Sequence, residues 1–279
     1  MRGSISAELF VLRKRASTWV LLGIWLTVGT IFAYVFPYVT YRNNTGAPGG
    51  PPLTDLLPQG FVGNMLAGFP FFGGAIVLML GVLSFGSEYG WGTLKTLFTQ
   101  RPGRLSIFGA KLLALGIALT PFVLLTFVIG AISSYAIAQI EGVAVDWPSA
   151  WLVVRALAAS WFILAVWAML GVMLAVLSRG TALAIGVGIL YALALEGLFS
   201  ALAGQLSLFE PLVEFFLRAN AYSLVVALGT SSEAMADNGP GSFSGPFVDG
   251  WQALLVLSVY IAAFILISGF TLRQRDVAG

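Results

Sequence analysis

The chain has 279 residues, of which 58% are hydrophobic and only 9% are charged, and its formal net charge is +2. Soluble proteins contain about 45–50% apolar and about 25% charged residues, so this composition excludes a water-soluble fold and indicates an integral membrane protein. So small a net charge gives little reason to expect nucleic-acid binding. The absence of cysteine and histidine excludes disulfides, thiolate nucleophiles and the commonest proton carrier at neutral pH.

The N-terminal segment predicts a helix that lies along the membrane surface. Ile5, Leu9, Leu12 and Ala16 recur at helical spacing, and three basic residues stand at 13–15. We expect an amphipathic helix in the cytosolic interface, with its cations near anionic headgroups. A simple topology signal for the first span is a compatible alternative.

Six stretches reach the roughly 20 apolar residues that a transmembrane helix needs. They are residues 18–38, 61–86, 105–140, 150–177, 181–203 and 251–272. The third exceeds one straight crossing, so we expect it to be tilted or to extend beyond the bilayer. The first is too long for a cleavable signal peptide, so we expect it to remain in the mature protein. The chain is therefore predicted to be all-α, with one six-span domain over residues 1–279.

The distribution of lysine and arginine predicts the orientation of these spans. With the N-terminus inside, only Arg42, Arg155 and Arg218 fall on the outer side, whereas most acidic residues do. We therefore expect both termini to be cytoplasmic in a multi-pass protein of the plasma (inner) membrane of a prokaryote. Aromatic residues near the predicted span ends are expected to be interface anchors.

Residues 206–228 are apolar enough to suggest a seventh span. Charged residues nevertheless recur there at intervals of four: Glu210, Glu214 and Arg218. They would form a polar stripe on a helix, and a seventh span would also place the C-terminal arginines outside. We expect instead one or two short outer helices between spans five and six, broken near Asn220 and followed by a stretch rich in glycine, serine and proline at 231–246.

The second stretch is rich in small and helix-bending residues. It contains Gly68, Gly73, Gly74 and Gly81 together with Pro70. Small residues let two helix backbones approach closely in a membrane, and proline bends a helix. We expect close packing or flexing of this span, and ordinary packing is the commoner outcome.

The loop at 87–111 is basic, with one acid, Glu88. Its cations are Lys95, Arg101, Arg104 and Lys111. Gly92 and Thr93 are predicted to begin a short helix on which Leu94, Leu97 and Phe98 share one face. Such an exposed apolar surface needs a partner. Glu88 ends a span, where the helix dipole disfavours an acid, so we expect Arg101, Arg104 or Lys111 to compensate it unless water does.

The chain lacks a phosphate-binding loop, because no Gly-Lys dipeptide occurs in it. A transporter of this kind would depend on an ion gradient or on a separate ATPase. Glu196 is the one carboxylate predicted inside a span, and helical rise puts Arg155 in the outer part of the neighbouring span. We expect an embedded ion pair between them or, as the alternative, a place in a substrate pathway. No catalytic set of residues is recognisable, so an enzyme is not expected.

The loop carries a pattern that resembles a known family. The residues are Glu88, Gly92, Thr93, Leu94, Lys95, Leu97, Arg101, Pro102, Arg104, Gly109 and Lys111. Their order resembles the E…GTL…P..R…K signature of the ABC-2 family, the membrane permeases of type 2 ATP-binding-cassette transporters. The layout of nearly the whole chain is similar to that family too, and so is the ending with Arg273, Arg275 and Asp276.

The resemblance implies a non-catalytic permease subunit of an exporter that is powered by a separate nucleotide-binding subunit, present in two copies. The coupling helix that docks on this ATPase would include Glu88, Gly92, Thr93, Leu94, Lys95, Leu97, Phe98, Arg101 and Arg104. Two permeases, identical or different, would form a dimer in the lipid membrane, with spans one, two and five along the pathway and the outer helices above it. The chain itself would hold no cofactor, and ATP and magnesium would bind to the partner.

Two other functions remain open at this point. One is an ion-coupled secondary carrier with Glu196 as the proton or cation site. The other is a membrane scaffold or immunity protein whose outer loop binds a ligand. The sequence does not identify a substrate under any of these hypotheses.

Overall fold

The computed structural model describes residues 2–43, 52–90, 92, 103–203, 206, 208, 210–230, 243 and 246–274. Within these residues every regular element is a helix. Six helices in the described part of the chain are long and apolar enough to cross a membrane, as predicted, which indicates a multi-pass membrane protein.

The six helices are numbered here as spans in chain order. Span 1 is Ala16–Asn43, span 2 is Phe61–Gly90, span 3 is Arg104–Glu141, span 4 is Ala150–Ser178, span 5 is Ala182–Ser200 and span 6 is Gly250–Gln274. The helix of span 5 continues to Ala203. Each span coincides closely with a predicted stretch, and span 3, at 38 residues or about 57 Å, confirms the expected excess over one straight crossing.

Spans 1, 2 and 5 each contain a wider π-helical turn, at Ile31–Val35, Phe69–Gly73 and Leu190–Leu195. Two of these turns coincide with prolines that the sequence puts inside the spans. Pro70 lies within the turn of span 2, and Pro37 is the second residue after the turn of span 1. A proline has no backbone N–H and crowds the preceding turn, so a local change of helical pitch accommodates it inside a long helix.

Spans 2 and 4 form the centre of the fold, because most of their residues are buried whereas spans 1, 5 and 6 are largely exposed. Their backbones touch at two glycines. A side chain at Gly81 would collide with the carbonyl of Ala168, and one at Gly171 would collide with the carbonyl of Leu78. This contact confirms the close approach that the glycines of span 2 predicted.

The N-terminal helix, Arg2–Lys14, packs mainly along span 3. Leu12 is buried and Ile5 and Leu9 are half-buried, so these three residues form the inward face as predicted. Ala16 is exposed and begins span 1 instead. The helix itself is confirmed, and its place in a membrane interface stays a prediction.

The described residues between spans 5 and 6 form two short helices, Glu210–Val213 and Leu217–Val226. We call the second of these the connecting helix. The predicted break near Asn220 is wrong, because Asn220 is fully buried inside the connecting helix and the chain turns at residues 214–216 instead. The amide of Asn220 donates hydrogen bonds of 2.8 Å and 2.7 Å to the carbonyls of Glu214 and Phe216, which stabilises that turn.

The turn also changes the predicted polar stripe. Glu210 and Arg218 belong to different helices, so the charges at intervals of four do not share one continuous helical face. The connecting helix packs against span 6 and also contacts spans 2 and 4. It is therefore part of the folded core at this end of the bundle.

Candidate functional site

The ammonium group of Lys111 is the centre of a buried charge cluster. Lys111 lies near the start of span 3, and it forms ion pairs with Glu88 at the end of span 2 and, at 2.8 Å, with Glu8 of the N-terminal helix. Lys111 and Glu88 are both buried, and the Phe85 ring lies 5.6 Å from the ammonium. A buried ion is tolerated when it is paired and hydrogen-bonded, as Lys111 is here.

A second contact joins the N-terminal region to span 2. The guanidinium of Arg15, the extended residue between the N-terminal helix and span 1, donates a hydrogen bond of 2.6 Å to the carbonyl of Leu83. The N-terminal helix, the end of span 2 and the start of span 3 are therefore held together by charge-assisted hydrogen bonds, which are about twice as strong as neutral ones. We call Glu8, Arg15, Glu88 and Lys111 the basal cluster.

The basal cluster stands where the 87–111 loop leaves and re-enters the bundle. Of the three cations expected to compensate Glu88, Lys111 is paired with it. Arg104 begins span 3, and Gly92 has a left-handed backbone with φ of 68°, which glycine adopts without strain. The other predicted coupling residues lie outside the described residues: Thr93, Leu94, Lys95, Leu97, Phe98 and Arg101.

Glu196 is the centre of a second polar site, which begins directly after the π turn of span 5. Its carboxylate is fully buried and accepts hydrogen bonds from the backbone N–H groups of Leu217, at 3.1 Å, and Arg218, at 2.7 Å. These two residues form the first turn of the connecting helix, whose N–H groups have no partner within the helix. The Tyr191 side chain, in the π turn, is within hydrogen-bonding reach of the same carboxylate.

The side chain of Arg218 is also buried, and it lies between aromatic rings. Its guanidinium carbon is 5.5 Å from the centre of the Phe71 ring and 5.7 Å from that of Phe243. Guanidinium groups are attracted to aromatic faces, most strongly where water is excluded. Tyr222 stacks on Phe243 at 5.1 Å, and burial raises the pKa of its hydroxyl, which keeps it neutral.

The predicted ion pair between Arg155 and Glu196 is wrong. Arg155 is exposed near the start of span 4, and the ion pairs among the described residues do not include these two. Glu196 instead faces the connecting helix and the Arg218 charge. Helical rise gives the depth of a residue along a span, but it does not say which faces of two spans meet.

Sequence reasoning missed Glu8 and Arg218 as members of these sites. Glu8 could have been found, because it lies on the same helical face as Ile5 and Leu12, where an acid is out of place unless a cation meets it. Arg218 carried no such signal, since its spacing from Glu214 indicated a solvated stripe. Metal-binding groups of three or more acidic residues do not occur in the part of the chain that the structure describes.

Comparison with known proteins gives a family and no assigned activity. Residues 20–278 match the family described as Protein of unknown function (DUF2705). No curated protein matches the sequence. The matched region includes all six spans except the first residues of span 1, and it includes the Glu196 site. Of the basal cluster it includes Glu88 and Lys111, whereas Glu8 and Arg15 precede it. A match over nearly the whole chain shows that this protein belongs to the DUF2705 family.

Proposed function

We propose that this protein is the permease subunit of an ABC exporter, forming the substrate pathway and powered by a separate ATPase subunit. The observation that carries the proposal is the basal cluster. Glu88 and Lys111 close the two ends of the 87–111 loop against each other, and Glu8 joins them to the N-terminal helix. Because both ends of the loop are fixed to the bundle, a protein that binds the loop and moves it would also move the spans at its ends.

The contacts of the basal cluster also provide a mechanical path into the bundle. A force on the loop acts on spans 2 and 3 through Glu88 and Lys111, and on span 1 through the N-terminal helix and Arg15. Span 2 in turn packs against span 4 along most of its length. ATP binding and hydrolysis in the partner would shift the equilibrium between two arrangements of these spans, because a ligand shifts a conformational equilibrium by its differential affinity for the two states.

The surroundings of Glu196 favour this proposal over an ion-coupled carrier. Two backbone N–H groups already hydrogen-bond its carboxylate, Tyr191 is within reach, and the Arg218 charge lies close by. A coupling ion would have to displace these groups and leave the first turn of the connecting helix without an acceptor. Glu196 therefore acts as a structural acceptor, and the energy enters at the opposite end of the protein.

The proposal is tested by identifying the proteins that copurify with the tagged chain from its own membranes in mild detergent. The expected partners are an ATPase and a second permease, identical or different. Leu97→Asp should abolish ATPase association, since a charge buried in an apolar interface costs several kcal/mol. Val143→Asp is the control, because Val143 is an exposed apolar residue at the predicted outer side.

Three outcomes would contradict the proposal. The first is a purified complex without an ATPase. The second is a Leu97→Asp variant that keeps the wild-type yield of complex and its substrate-stimulated hydrolysis. The third is transport by the purified protein that persists without ATP and stops when the ion gradient is removed, which would instead support the carrier hypothesis. A ligand-binding protein without transport would support the scaffold hypothesis.

A further inference from the structure

A cavity of about 630 Å³ lies between spans 4 and 6 beside the end of the connecting helix. Its volume is in the range of ligand pockets, about 300–1,000 Å³. The walls are mostly apolar and include Ala158, Phe162, Leu224 and Leu254. Two charged residues also line it, Arg155 from span 4 and Asp249 at the start of span 6.

The position of Arg155 along span 4 corresponds to the edge of the hydrocarbon layer. Span 4 has 29 residues, so it is about 44 Å long and exceeds a hydrocarbon core of about 30 Å by about 7 Å at each end when it is centred. Arg155 lies about 7.5 Å along the axis from Ala150, at about 1.5 Å per residue. The exposed indoles of Trp151 and Trp251 mark the same level, since tryptophan is enriched at membrane interfaces.

The two charges are available to a ligand in different ways. Arg155 is exposed and has no ion pair with any of the described residues. One oxygen of Asp249 accepts a hydrogen bond of 2.9 Å from the N–H of Trp251, which caps span 6, and the other oxygen is not engaged by this bond. The cavity therefore presents one cation and one anion, separated by more than an ion-pair distance, above an apolar wall.

We infer that this cavity binds a zwitterionic phospholipid, with its phosphate at Arg155, its ammonium at Asp249 and an acyl chain along the apolar wall. The inference rests on charge complementarity. A zwitterionic headgroup carries both charges next to its acyl chains, whereas an anionic headgroup would meet Arg155 favourably and Asp249 unfavourably. Arginine also matches phosphate geometrically, because it donates through a planar fork.

This lipid site is independent of the proposed transport function, because it uses none of the residues of the basal cluster. Its test is lipid retention measured by native mass spectrometry. The protein is reconstituted in vesicles of equal amounts of phosphatidylethanolamine and phosphatidylglycerol with the same acyl chains, and is then extracted in mild detergent. We expect the wild type to retain phosphatidylethanolamine over phosphatidylglycerol by about three- to tenfold, the ratio for one partly solvated charge-assisted contact.

Three variants report on separate parts of the site. Arg155→Gln and Asp249→Asn should each remove the preference, and asparagine preserves the helix cap while it removes the charge. Ala158→Phe should reduce retention of both lipids by filling the cavity, and it does not disturb the core because Ala158 is exposed. Arg42→Gln is the matched control, since Arg42 lies on the same predicted side but is paired with Glu141. It should leave the preference unchanged.

Retention of phosphatidylglycerol at the level of phosphatidylethanolamine or above it would overturn the inference. A preference that survives Asp249→Asn would do the same, because it would indicate a site for phosphate alone. Equal losses of the phosphatidylethanolamine preference in Arg155→Gln and Arg42→Gln would also overturn the inference. They would indicate a general contribution of arginine at the membrane surface.

Discussion

The carboxylate of Glu196 accepts a hydrogen bond of 2.7 Å from the backbone N–H of Arg218, which joins span 5 to the first turn of the connecting helix. The partial positive charge at that end of a helix favours an anion, and the Arg218 side chain adds a full positive charge nearby. The first half of span 5 packs on spans 4 and 2, and this contact attaches its second half to the connecting helix.

Replacing Glu196 by alanine should detach the connecting helix. Two buried N–H groups would lose their acceptor, an effect of about 1–3 kcal/mol each. Because the chain has no cysteine, Val225→Cys can be added as a single buried probe in the connecting helix. Its labelling by a thiol reagent should become faster in Glu196→Ala, and Ala175→Cys in span 4 should stay protected. Equal protection of both probes in the alanine variant would contradict this role of Glu196.

Double-mutant cycles should show that Glu196 interacts with Arg218 and not with Arg155. Glu196→Gln and Arg218→Gln should couple by about 0.5–3 kcal/mol in unfolding free energy, because the groups share one polar site. Glu196→Gln and Arg155→Gln should be additive within about 0.5 kcal/mol. Unfolding of the detergent-solubilised protein measures both. Stronger coupling of Glu196 with Arg155 than with Arg218 would contradict this pairing.

Lys111→Met should destabilise the protein strongly. The substitution removes the ammonium that pairs with both Glu8 and Glu88, and breaking a buried ion pair costs about 3–5 kcal/mol. Glu8→Gln should cost less, since Lys111 and Glu88 remain paired. Lys14→Met, at an exposed residue of the N-terminal helix, is the control. The midpoints of thermal unfolding give the comparison, and similar midpoints for Lys111→Met and Lys14→Met would refute the importance of the basal cluster.

Gly171→Ala should disrupt the contact between spans 2 and 4. The added methyl group would collide with the carbonyl of Leu78, and such overpacking costs about 1–3 kcal/mol or more. Gly186→Ala in span 5 is the matched control, because no atom lies near the added methyl group there. It should be neutral or stabilising, since alanine is the better helix former. Equal yields and unfolding midpoints for the two variants would be inconsistent with the close contact.

The orientation can be checked with tags. A tag after Gly279 and a probe in the loop at 100–104 should both be cytosolic, and a probe at Asn238 should be external, because lysine and arginine concentrate on the cytosolic side. Accessibility to a reagent that does not cross the membrane measures each position. A C-terminal tag on the same side as the Asn238 probe would show an even number of crossings between them instead of the single crossing of span 6, and the six-span topology would fail.

The spans could be predicted from the sequence because each depends on a local property, the length of an apolar run. The position of the break between spans 5 and 6 could not be predicted in this way. The polar character of Asn220 favoured a solvated break, whereas its buried amide stabilises a turn six residues earlier in the chain. Only the fold shows that two backbone carbonyls lie where they can accept hydrogen bonds from this amide.

The two polar sites also differ in how far the sequence could predict their partners. Pairing of Glu88 was predictable, because an acid at the end of a helix needs a cation and the loop offered three, although the sequence did not choose among them. The partner of Glu196 was not predictable. It depends on where the connecting helix packs, and the main donors are backbone N–H groups that every residue carries.

The backbone contact at Gly81 and Gly171 has a mechanical consequence. Spans 2 and 4 cannot slide or rotate against each other there without separating first, so they form a rigid pair at the centre of the molecule. Spans 1 and 5 have few buried residues, and each contains a π turn with one surplus residue. Moving that surplus by one position turns the side chain of the residue that it passes by about 100°, the rotation per residue of an α-helix, while the helix on either side keeps its orientation. Spans 1 and 5 are thus built so that single residues at their π turns can change the side they face, next to a fixed pair of spans.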